Sequence, residues 1–217
     1  MEKYQDGGAD SEVLIELHYL PCLAYFTAIQ PFDTIWLEAA ENYQKQSYRN
    51  RCYVLTANGT ERLTIPVLEG THRQPVRDVG IDNRQPWGER QWRTIETAYR
   101  KAPFFEYYAP DLEAVLQKDH RRLFDLNQEM LTICLKWLGW KKKIKFTEVF
   151  EKEANEGVTD LRGWISPRGA DKSGSVYQPF LYMQNFGTEF VPNLSIIDLF
   201  FCQGPLAKEI LEASFRK

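Results

Sequence analysis

The chain has 217 residues with 27 Lys or Arg and 30 Asp or Glu, so its formal net charge at pH 7 is −3. This near balance provides no overall positive field, and we therefore expect no nucleic-acid partner. Hydrophobic residues make up 43% of the chain. Because a chain of this length buries about 70% of its unfolded surface, it needs no disulfide framework or structural metal to fold.

Cysteine and histidine spacing bears on metal binding. No two cysteines form a CxxC pair, and no histidine stands at ligand spacing from one, so we expect no metal site. The residues concerned are Cys22, Cys52, Cys134, Cys202, His18, His72 and His120.

The N-terminal segment and the hydropathy pattern indicate where the protein works. Residues 1–11 are polar and lack the basic-then-apolar order of a signal peptide. No uncharged apolar run reaches the roughly 18 residues that a membrane crossing needs. We therefore expect a disordered leader over 1–11, a single globular domain over 12–217, no transmembrane segment and a cytoplasmic protein.

The first predicted elements form a strand, a helix and a second strand. Residues 12–17, EVLIEL, suit a buried strand, and Pro21 suits the first turn of a helix over 22–29 that Pro31 stops. The apolar run 34–37 follows one helix later. This order predicts a parallel βαβ unit.

Next, the sequence predicts a hairpin and two long helices. Asn58-Gly59 separates two strand-like runs within 51–67, which predicts a hairpin that turns at this dipeptide with positive φ at both residues. Residues 76–81 are a candidate further strand. Apolar residues recur at helical spacing between 86 and 102 and again over 123–138.

The last third of the chain differs in composition from the rest. A short strand-like IKF follows Lys143, and residues 151–175 are rich in Gly, Ser, Asp and Lys, which indicates a mobile loop. The apolar run 196–201 predicts a core helix, with Ser195 and Asp198 in a capping-box arrangement. Together these elements predict an α/β or α+β fold: a small mixed sheet with a parallel βαβ start and a β-hairpin, packed by several helices.

The candidate binding segment is 41–51, which lies between a predicted strand and the hairpin. Lys45, Arg49 and Arg51 together suit a phosphate or carboxylate, because Arg offers a rigid fork and Lys a point charge. The alternative is a solvated loop whose cations pair with carboxylates of the same chain.

Residues at the end of the first strand are the candidate catalytic groups. His18 or Glu16 would take a proton, because the carboxyl ends of strands in open α/β sheets open onto ligand crevices. We expect His18 to converge with the cations of 41–51 on one cleft. The alternatives are a structural histidine and, less favoured, a nucleophilic Cys22 thiol.

Two further segments offer binding groups. Arg168 lies in the predicted mobile loop and could close over an anionic ligand. An aromatic cluster around Pro103 is either a stacking platform for a sugar or base, or part of the core. Its members are Tyr99, Phe104, Phe105, Tyr107 and Tyr108.

Four segments together resemble the WbqC-like family, a bacterial group found among O-antigen and other surface-polysaccharide biosynthesis genes. They are HYLPCLAYF, ENYQKQSYRNR, AYRKAPFFEYY and VPNLSIIDLFFCQGP, so the resemblance runs from about residue 13 to about residue 206. His18 and Cys22 stand where many members have Asn and Trp. The residues that match the family's motifs, and that the resemblance implies bind substrate, are Tyr19, Gln44, Lys45, Ser47, Arg49, Asn50 and Arg51.

The resemblance implies a pathway more directly than a reaction. The leading hypothesis is a transferase acting on an activated sugar, or on an acyl or aminoacyl donor for an amino sugar, with an anionic or sugar-phosphate ligand. The rival is a non-catalytic protein that binds a glycan intermediate or a pathway enzyme. The chain has no GxGxxG, GxxxxGK[ST] or GxSxG motif, which disfavours nucleotide cofactors and α/β-hydrolase chemistry. We therefore expect no cofactor.

Overall fold

The computed structural model describes residues 11–69, 73–167 and 172–216. The strands are β1 (Glu12–Glu16), β2 (Thr34–Glu38), β3 (Arg51–Thr56), β4 (Gly59–Thr64), β5 (Lys143–Phe146) and β6 (Val158–Asp160). The helices are α1 (Leu23–Ile29), α2 (Trp87–Tyr99), α3 (Phe105–Leu116), α4 (Leu123–Trp137), α5 (Ile196–Gln203) and α6 (Ala207–Ala213), and short 3-10 turns form at Val76–Asp78, Ser173–Ser175 and Gly204–Leu206.

A four-stranded parallel sheet organises the chain in the order β5-β2-β1-β6. Strands β1 and β2 pair from Glu12 opposite Thr34 to Glu16 opposite Glu38, with α1 between them in the sequence. The predicted mixed α/β fold and its parallel βαβ start are confirmed. Because all four strands run the same way, their carboxyl ends share one edge, and Glu16 and Glu38 stand side by side at that edge.

The two faces of this sheet differ in their surroundings. Val13, Ile15, Ile35 and Leu37 lie on one face and are at most 1% exposed, so this face belongs to the hydrophobic core. Side chains alternate along a strand, so Leu14 and its register partner Trp36 lie on the other face. There they line a cavity described below.

Strands β3 and β4 form the predicted hairpin, with Arg51 opposite Thr64 and Thr56 opposite Gly59. The predicted turn is wrong in two respects: it is centred one residue before Asn58-Gly59, and Asn58 does not have a positive φ, although Gly59 has φ +99. Ala57 and Asn58 occupy the centre of the turn, and the Thr56 hydroxyl accepts the Asn58 N–H and donates to the Gly59 carbonyl. The threonine holds the turn without a left-handed Asn58.

The helices predicted at 86–102, 123–138 and 196–201 are present as α2, α4 and α5. Helix α3 was not predicted; it begins two residues after Pro103 and contains Pro110. Residues 76–78 form a 3-10 turn instead of a strand, although Ile81 bridges to Val67.

The predicted capping box before α5 is wrong. The Ser195 hydroxyl donates to the Leu20 carbonyl at 2.9 Å and makes no cap bond to the helix. Asp198 is fully buried and accepts hydrogen bonds from side chains elsewhere in the fold. The spacing of Ser195 and Asp198 fitted a capping box, but both side chains form hydrogen bonds to other parts of the core instead.

Within the described ranges, none of the helices has the length and apolar character needed to cross a membrane. All four cysteines are buried, and burial raises the pKa of the Cys202 thiol to about 12 and the pKa values of the Cys52 and Cys134 thiols further. The segment predicted as a mobile loop, 151–175, contributes the three-residue strand β6, which pairs with β1. Residues 1–10 of the predicted leader lie outside the described residues.

Candidate functional site

A cluster of charged side chains occupies the carboxyl edge of the parallel sheet. Glu16 and Glu38 end β1 and β2, His18 follows β1, Glu41 follows β2 and Arg49 precedes β3. None of the five is more than 6% exposed. We call these residues the edge cluster. Burying this many ionisable groups is costly unless they neutralise one another, so their pairing determines the chemistry that remains.

Arg49 and Glu41 form a two-pronged ion pair. Arg49 Nε lies 2.6 Å from Glu41 Oε1, and Nη2 lies 2.7 Å from Oε2. Nη2 is also 3.8 Å from Oε1 of Glu16. The guanidinium is therefore held by carboxylates of its own chain, and an anionic ligand at Arg49 would have to displace Glu41. This is the pairing that the solvated-loop alternative described, except that it is buried.

Glu16 contacts both His18 and the Arg49 guanidinium. His18 Nε2 lies 3.3 Å from Glu16 Oε1, and the Gly163 N–H donates to Oε2 at 2.9 Å. Burial favours the neutral form of Glu16, but the contacts with His18, Arg49 and Gly163 outweigh it and lower its pKa to about 2. Glu16 is thus a carboxylate at neutral pH.

The His18 imidazole is enclosed by aromatic rings. Its ring centroid lies 4.9 Å from that of Tyr25 and 5.3 Å from that of Tyr48. Burial lowers the pKa of His18, although Glu16 acts in the opposite direction. Neither His18 Nδ1 nor the Tyr25 hydroxyl has a hydrogen-bond partner in the part of the chain that the structure describes. A neutral, enclosed imidazole fits a supporting role better than direct contact with substrate.

Glu41 behaves oppositely to Glu16. Burial raises its pKa, the Arg49 pair opposes this, and the nearby charges of Glu16 and Glu38 raise it further. One cluster therefore holds two carboxyl groups whose proton affinities are driven apart. Separation of this kind assigns distinct acid and base roles in many enzymes. Glu41 was not among the predicted site residues, although it begins the polar segment 41–51.

Glu38 is neutralised from a distant part of the chain. Its Oε2 accepts a hydrogen bond from Arg162 Nη1 at 2.8 Å, and its Oε1 accepts from the Thr147 hydroxyl and the Ala40 N–H. Arg162 also forks onto Asp160 and donates to the carbonyls of residues 151 and 152. All five N–H donors of Arg162 are used, so this arginine ties segment 147–155 to the sheet and has none left for a ligand.

Two cavities open beside the edge cluster. The Trp36 cavity has a volume of about 330 Å³ and is lined by Leu14, Trp36 and Glu38, among others. The Glu41 cavity has a volume of about 850 Å³, and its lining includes Glu41 and Phe150. Val149 lines the first cavity and Phe150 the second, so segment 148–151 separates them. Glu38 and Glu41 bring the edge cluster to the walls of both.

Three of the predicted substrate-binding residues make internal hydrogen bonds. The Tyr19 hydroxyl donates to Gln91 Oε1 at 2.6 Å, Asn50 Nδ2 donates to the Ile65 carbonyl, and the Ser47 hydroxyl donates to the Gln44 carbonyl. These bonds hold the segments around the site, and leave Tyr19 fully buried.

The other predicted binding residues have different positions. Gln44 lines the Glu41 cavity, and Lys45 next to it is exposed. Arg51 lies at the start of β3, and its Nε has no hydrogen-bond partner within the described residues. No ion pair among the described residues joins Lys45 or Arg51 to the edge cluster. Of the three predicted cations, Arg49 is the one that lies in the edge cluster with His18. Arg168 lies outside the described residues.

The turn after β1 is strained. Leu20 is fully buried and has φ +40, a conformation that branched L-residues rarely adopt. The turn is fixed by a hydrogen bond from the Tyr19 N–H to the Tyr48 carbonyl and by the Ser195 hydroxyl on the Leu20 carbonyl. Strain of this kind persists only where the surroundings impose it, and it often accompanies functional sites.

A second buried acidic residue, Asp198, was missed as a candidate. Its Oδ1 accepts from the Tyr99 hydroxyl at 2.8 Å, and its Oδ2 accepts from the Tyr182 hydroxyl at 2.7 Å and from Gln184 Nε2 at 3.1 Å. No cation pairs with it within the described residues. Burial raises its pKa despite the three donors. The signal in the sequence was an acid inside the apolar run 196–201.

The fold and the edge cluster define a small α/β protein with a buried site of paired glutamates and arginines at the carboxyl edge of its parallel sheet. A model of the WbqC-like protein family matches residues 17–165, and the chain belongs to this family. The matched region contains His18, Glu38, Glu41, Arg49 and Arg162 of the site. This confirms the family that the sequence motifs indicated.

Similarity extends over nearly the whole chain in one relative. Uncharacterized protein Rv1507c of Mycobacterium tuberculosis is 25% identical in a match that covers 91% of this chain and 96% of the relative. No solved structure matches the chain. The relative's description names no reaction, so the function has to be inferred from the residues of the site.

Proposed function

We propose that this protein is a transferase of polysaccharide biosynthesis that binds an activated sugar, or an acyl or aminoacyl donor for an amino sugar, beside the edge cluster. The observation that carries the proposal is the opposed proton affinity of Glu16 and Glu41 within one buried cluster, with Glu41 on a cavity wall. Membership of the WbqC-like family supports a role in polysaccharide-related processes.

The two cavities suit the two parts of an activated sugar. Trp36 and Leu14 provide an apolar wall against which a sugar ring can pack, and Glu38 lies at the same cavity. The Glu41 cavity is lined by Arg73 and Gln44, with exposed Lys45 next in sequence, and these groups would hold a phosphate. The anion-binding role moves from Arg49, which is already paired, to Arg73 and Lys45.

Glu41 is the proposed general base. It takes the proton from a hydroxyl or amino group of the acceptor substrate, and the oxygen or nitrogen of that group bonds to the transferred carbon. The bond from that carbon to the donor's leaving group breaks, and its electron pair leaves with that group. Arg49 orients Glu41, and Glu16 with His18 holds Arg49 in place. The predicted catalytic residues His18 and Glu16 thus become positioning residues in this proposal.

One observation favours the non-catalytic alternative. His18 and Glu16 are each only 1% exposed, and Arg49 is paired internally. A protein that only binds a glycan intermediate would need the cavities and would not need a proton acceptor. The two functions therefore differ in what they require of Glu41.

The test compares Glu41→Gln with the wild type and with Glu61→Gln, an exposed glutamate of the hairpin. Each protein is incubated with a panel of UDP-, dTDP- and GDP-sugars and glucosamine as acceptor; calorimetry measures donor affinity and mass spectrometry detects product. The transferase proposal predicts that Glu41→Gln keeps donor affinity within about threefold and loses turnover by about 100-fold or more. Donor binding without wild-type turnover would support the binding protein, and the absence of any nucleotide-sugar binding would overturn the activated-sugar form of both.

A further inference from the structure

The aromatic cluster around Pro103 divides into a buried part and an exposed part. Tyr99, Phe105 and Tyr108 are at most 8% exposed and belong to the core, whereas Tyr107 is 80% exposed. Sequence alone left open whether the cluster was core or a stacking platform. The structure assigns the core role to the first three residues and leaves Tyr107 without one.

Tyr107 lines a cavity of about 720 Å³ between α3, α4 and the turn that joins α5 to α6. We call it the aromatic groove. Its other walls include Tyr108 and Trp137, whose rings meet edge to face at 5.0 Å, and Tyr107 meets Tyr108 in the same way. Gly204 closes one end, where an added Cβ would stand 2.5 Å from the Phe104 ring. Small-molecule sites combine such aromatic walls with a few placed polar groups.

The polar groups of the groove centre on Asp111. Its Oδ2 accepts from Trp137 Nε1 at 3.0 Å and from Lys136 Nζ at 3.1 Å. Oδ1 accepts no hydrogen bond from the described residues, and the side chain is 42% exposed. Lys208 lines the opposite wall. The groove thus offers an open carboxylate oxygen and ammonium donors beside an exposed aromatic ring.

We infer that the aromatic groove is a second binding site and that its ligand is a saccharide. A pyranose has a C–H face that packs on the negative face of an aromatic ring, and hydroxyls around its edge that pair with carboxylate and ammonium groups. A nucleobase fits less well. The groove's rings meet at 63° to 77°, so they form no parallel pair that would hold a flat base on both sides.

This site is separate from the proposed transferase site. Its residues come from α3, α4 and the α5–α6 turn, whereas the edge cluster lies at the carboxyl ends of β1 and β2. A saccharide held here would be a part of the glycan other than the reacting unit. The inference does not depend on catalysis, and it stands if the protein only binds glycans.

The test titrates methyl glycosides of glucose, N-acetylglucosamine and glucuronic acid into the isotope-labelled full-length protein and follows amide shifts by NMR. Tyr107 is exposed, so Tyr107→Ala should fold normally, which circular dichroism checks. We expect Tyr107→Ala to weaken binding of the best glycoside about 10-fold and Tyr107→Phe to keep it within about twofold. Shifts should centre on residues 104–111 and 136–139.

The matched control is Phe180→Ala, because Phe180 is an exposed aromatic that lines neither the aromatic groove nor the two cavities beside the edge cluster. Its substitution should leave glycoside binding unchanged. The inference is overturned if Tyr107→Ala binds like the wild type, if Phe180→Ala weakens binding as much as Tyr107→Ala, or if none of the glycosides binds at millimolar concentrations. Amide shifts that centre on the Trp36 cavity and are unchanged by Tyr107→Ala would place the sugar at the proposed transferase site, so the two proposals fail separately.

Discussion

The edge cluster and the Asp198 site both bury acidic side chains, but they surround them with different groups. Glu16 faces Arg49, His18 and a backbone N–H, and its pKa falls to about 2. Asp198 faces two tyrosine hydroxyls and an amide, and its pKa is raised. Burial acts in the same direction on both groups. What distinguishes Glu16 is the hydrogen bond with His18 together with the charge of Arg49, which outweigh the effect of burial.

The two sites also differ in access. The edge cluster reaches cavity walls through Glu38 and Glu41, whereas Asp198 is fully buried beneath Tyr182 and Gln184. Asp198 links α5 to α2 through Tyr99, whose hydroxyl also accepts the Leu55 N–H. We therefore assign a structural role to Asp198 and a functional role to the edge cluster.

The largest expected effect is that of Arg49→Ala on stability. Removing the guanidinium leaves Glu16 and Glu41 buried without their shared cation, which should cost about 3–5 kcal/mol of unfolding free energy. Urea unfolding at pH 7 measures this. Arg93→Ala is the control, because Arg93 is exposed and its pair with Glu89 spans one helical turn; it should cost less than about 0.5 kcal/mol. Equal effects of the two substitutions would contradict the pairing of Arg49.

The next largest effect is a loss of stability at low pH that depends on Glu16. The folded-state pKa of Glu16 is about 2, below its ordinary value of 4.5, so its stabilisation is fully present above pH 4.5 and is lost as the pH falls toward 2. This loss corresponds to about 3 kcal/mol. Unfolding free energies of the wild type and Glu16→Gln, measured by urea from pH 7 to pH 3, should converge as the pH falls. Parallel curves would show that Glu16 is not held ionised.

Asp198→Asn should show the opposite slope. Because the folded-state pKa of Asp198 is raised above its ordinary 3.8, its favourable contribution is present at low pH and is lost as the pH rises through the folded value. The stability of Asp198→Asn relative to the wild type should therefore increase with pH. The same urea series measures it. A relative stability that falls with pH would mean that Asp198 is held as a carboxylate.

The smallest effect on stability is expected at Lys45. It is exposed and makes no ion pair within the described residues, so Lys45→Ala should change the unfolding free energy by less than about 0.5 kcal/mol. In the proposed function it should still weaken binding of a nucleotide sugar about two- to fivefold, as an exposed charge contact does. Calorimetry with the best donor of the panel measures this. An unchanged affinity would remove Lys45 from the site.

Local patterns in the sequence were sufficient for much of the fold. The βαβ start, the hairpin and helices α2 and α4 each follow from spacing and turn residues within one segment. Strand β6 has only three residues, and its pairing with β1 joins positions more than 140 residues apart. Helix α3 contains Pro110, which local rules read as a breaker. These two elements depend on tertiary contacts that no local pattern expresses.

The candidate site was predictable only in part, for the same reason. Motifs indicated His18 and Arg49, but the sequence could not show that Glu41 takes both prongs of Arg49. Arg162 reaches Glu38 across 124 residues, and so the sequence carried no sign of that pair. At Asp198 a local rule predicted capping, because the spacing to Ser195 fitted, whereas the acid pairs with Tyr99 from another helix.

In the proposed function, Glu41 is the protonatable group of the edge cluster while Glu16 stays ionised. The most direct test is a ¹³C NMR titration of glutamate side-chain carboxyl groups, with Glu41→Gln and Glu16→Gln used to assign the two resonances. We expect Glu41 to titrate above its ordinary pKa of 4.5 and Glu16 to remain ionised down to about pH 2. A Glu41 resonance that titrates at or below pH 4.5, or a Glu16 resonance that titrates near pH 4.5, would show that the cluster does not separate the proton affinities of the two acids.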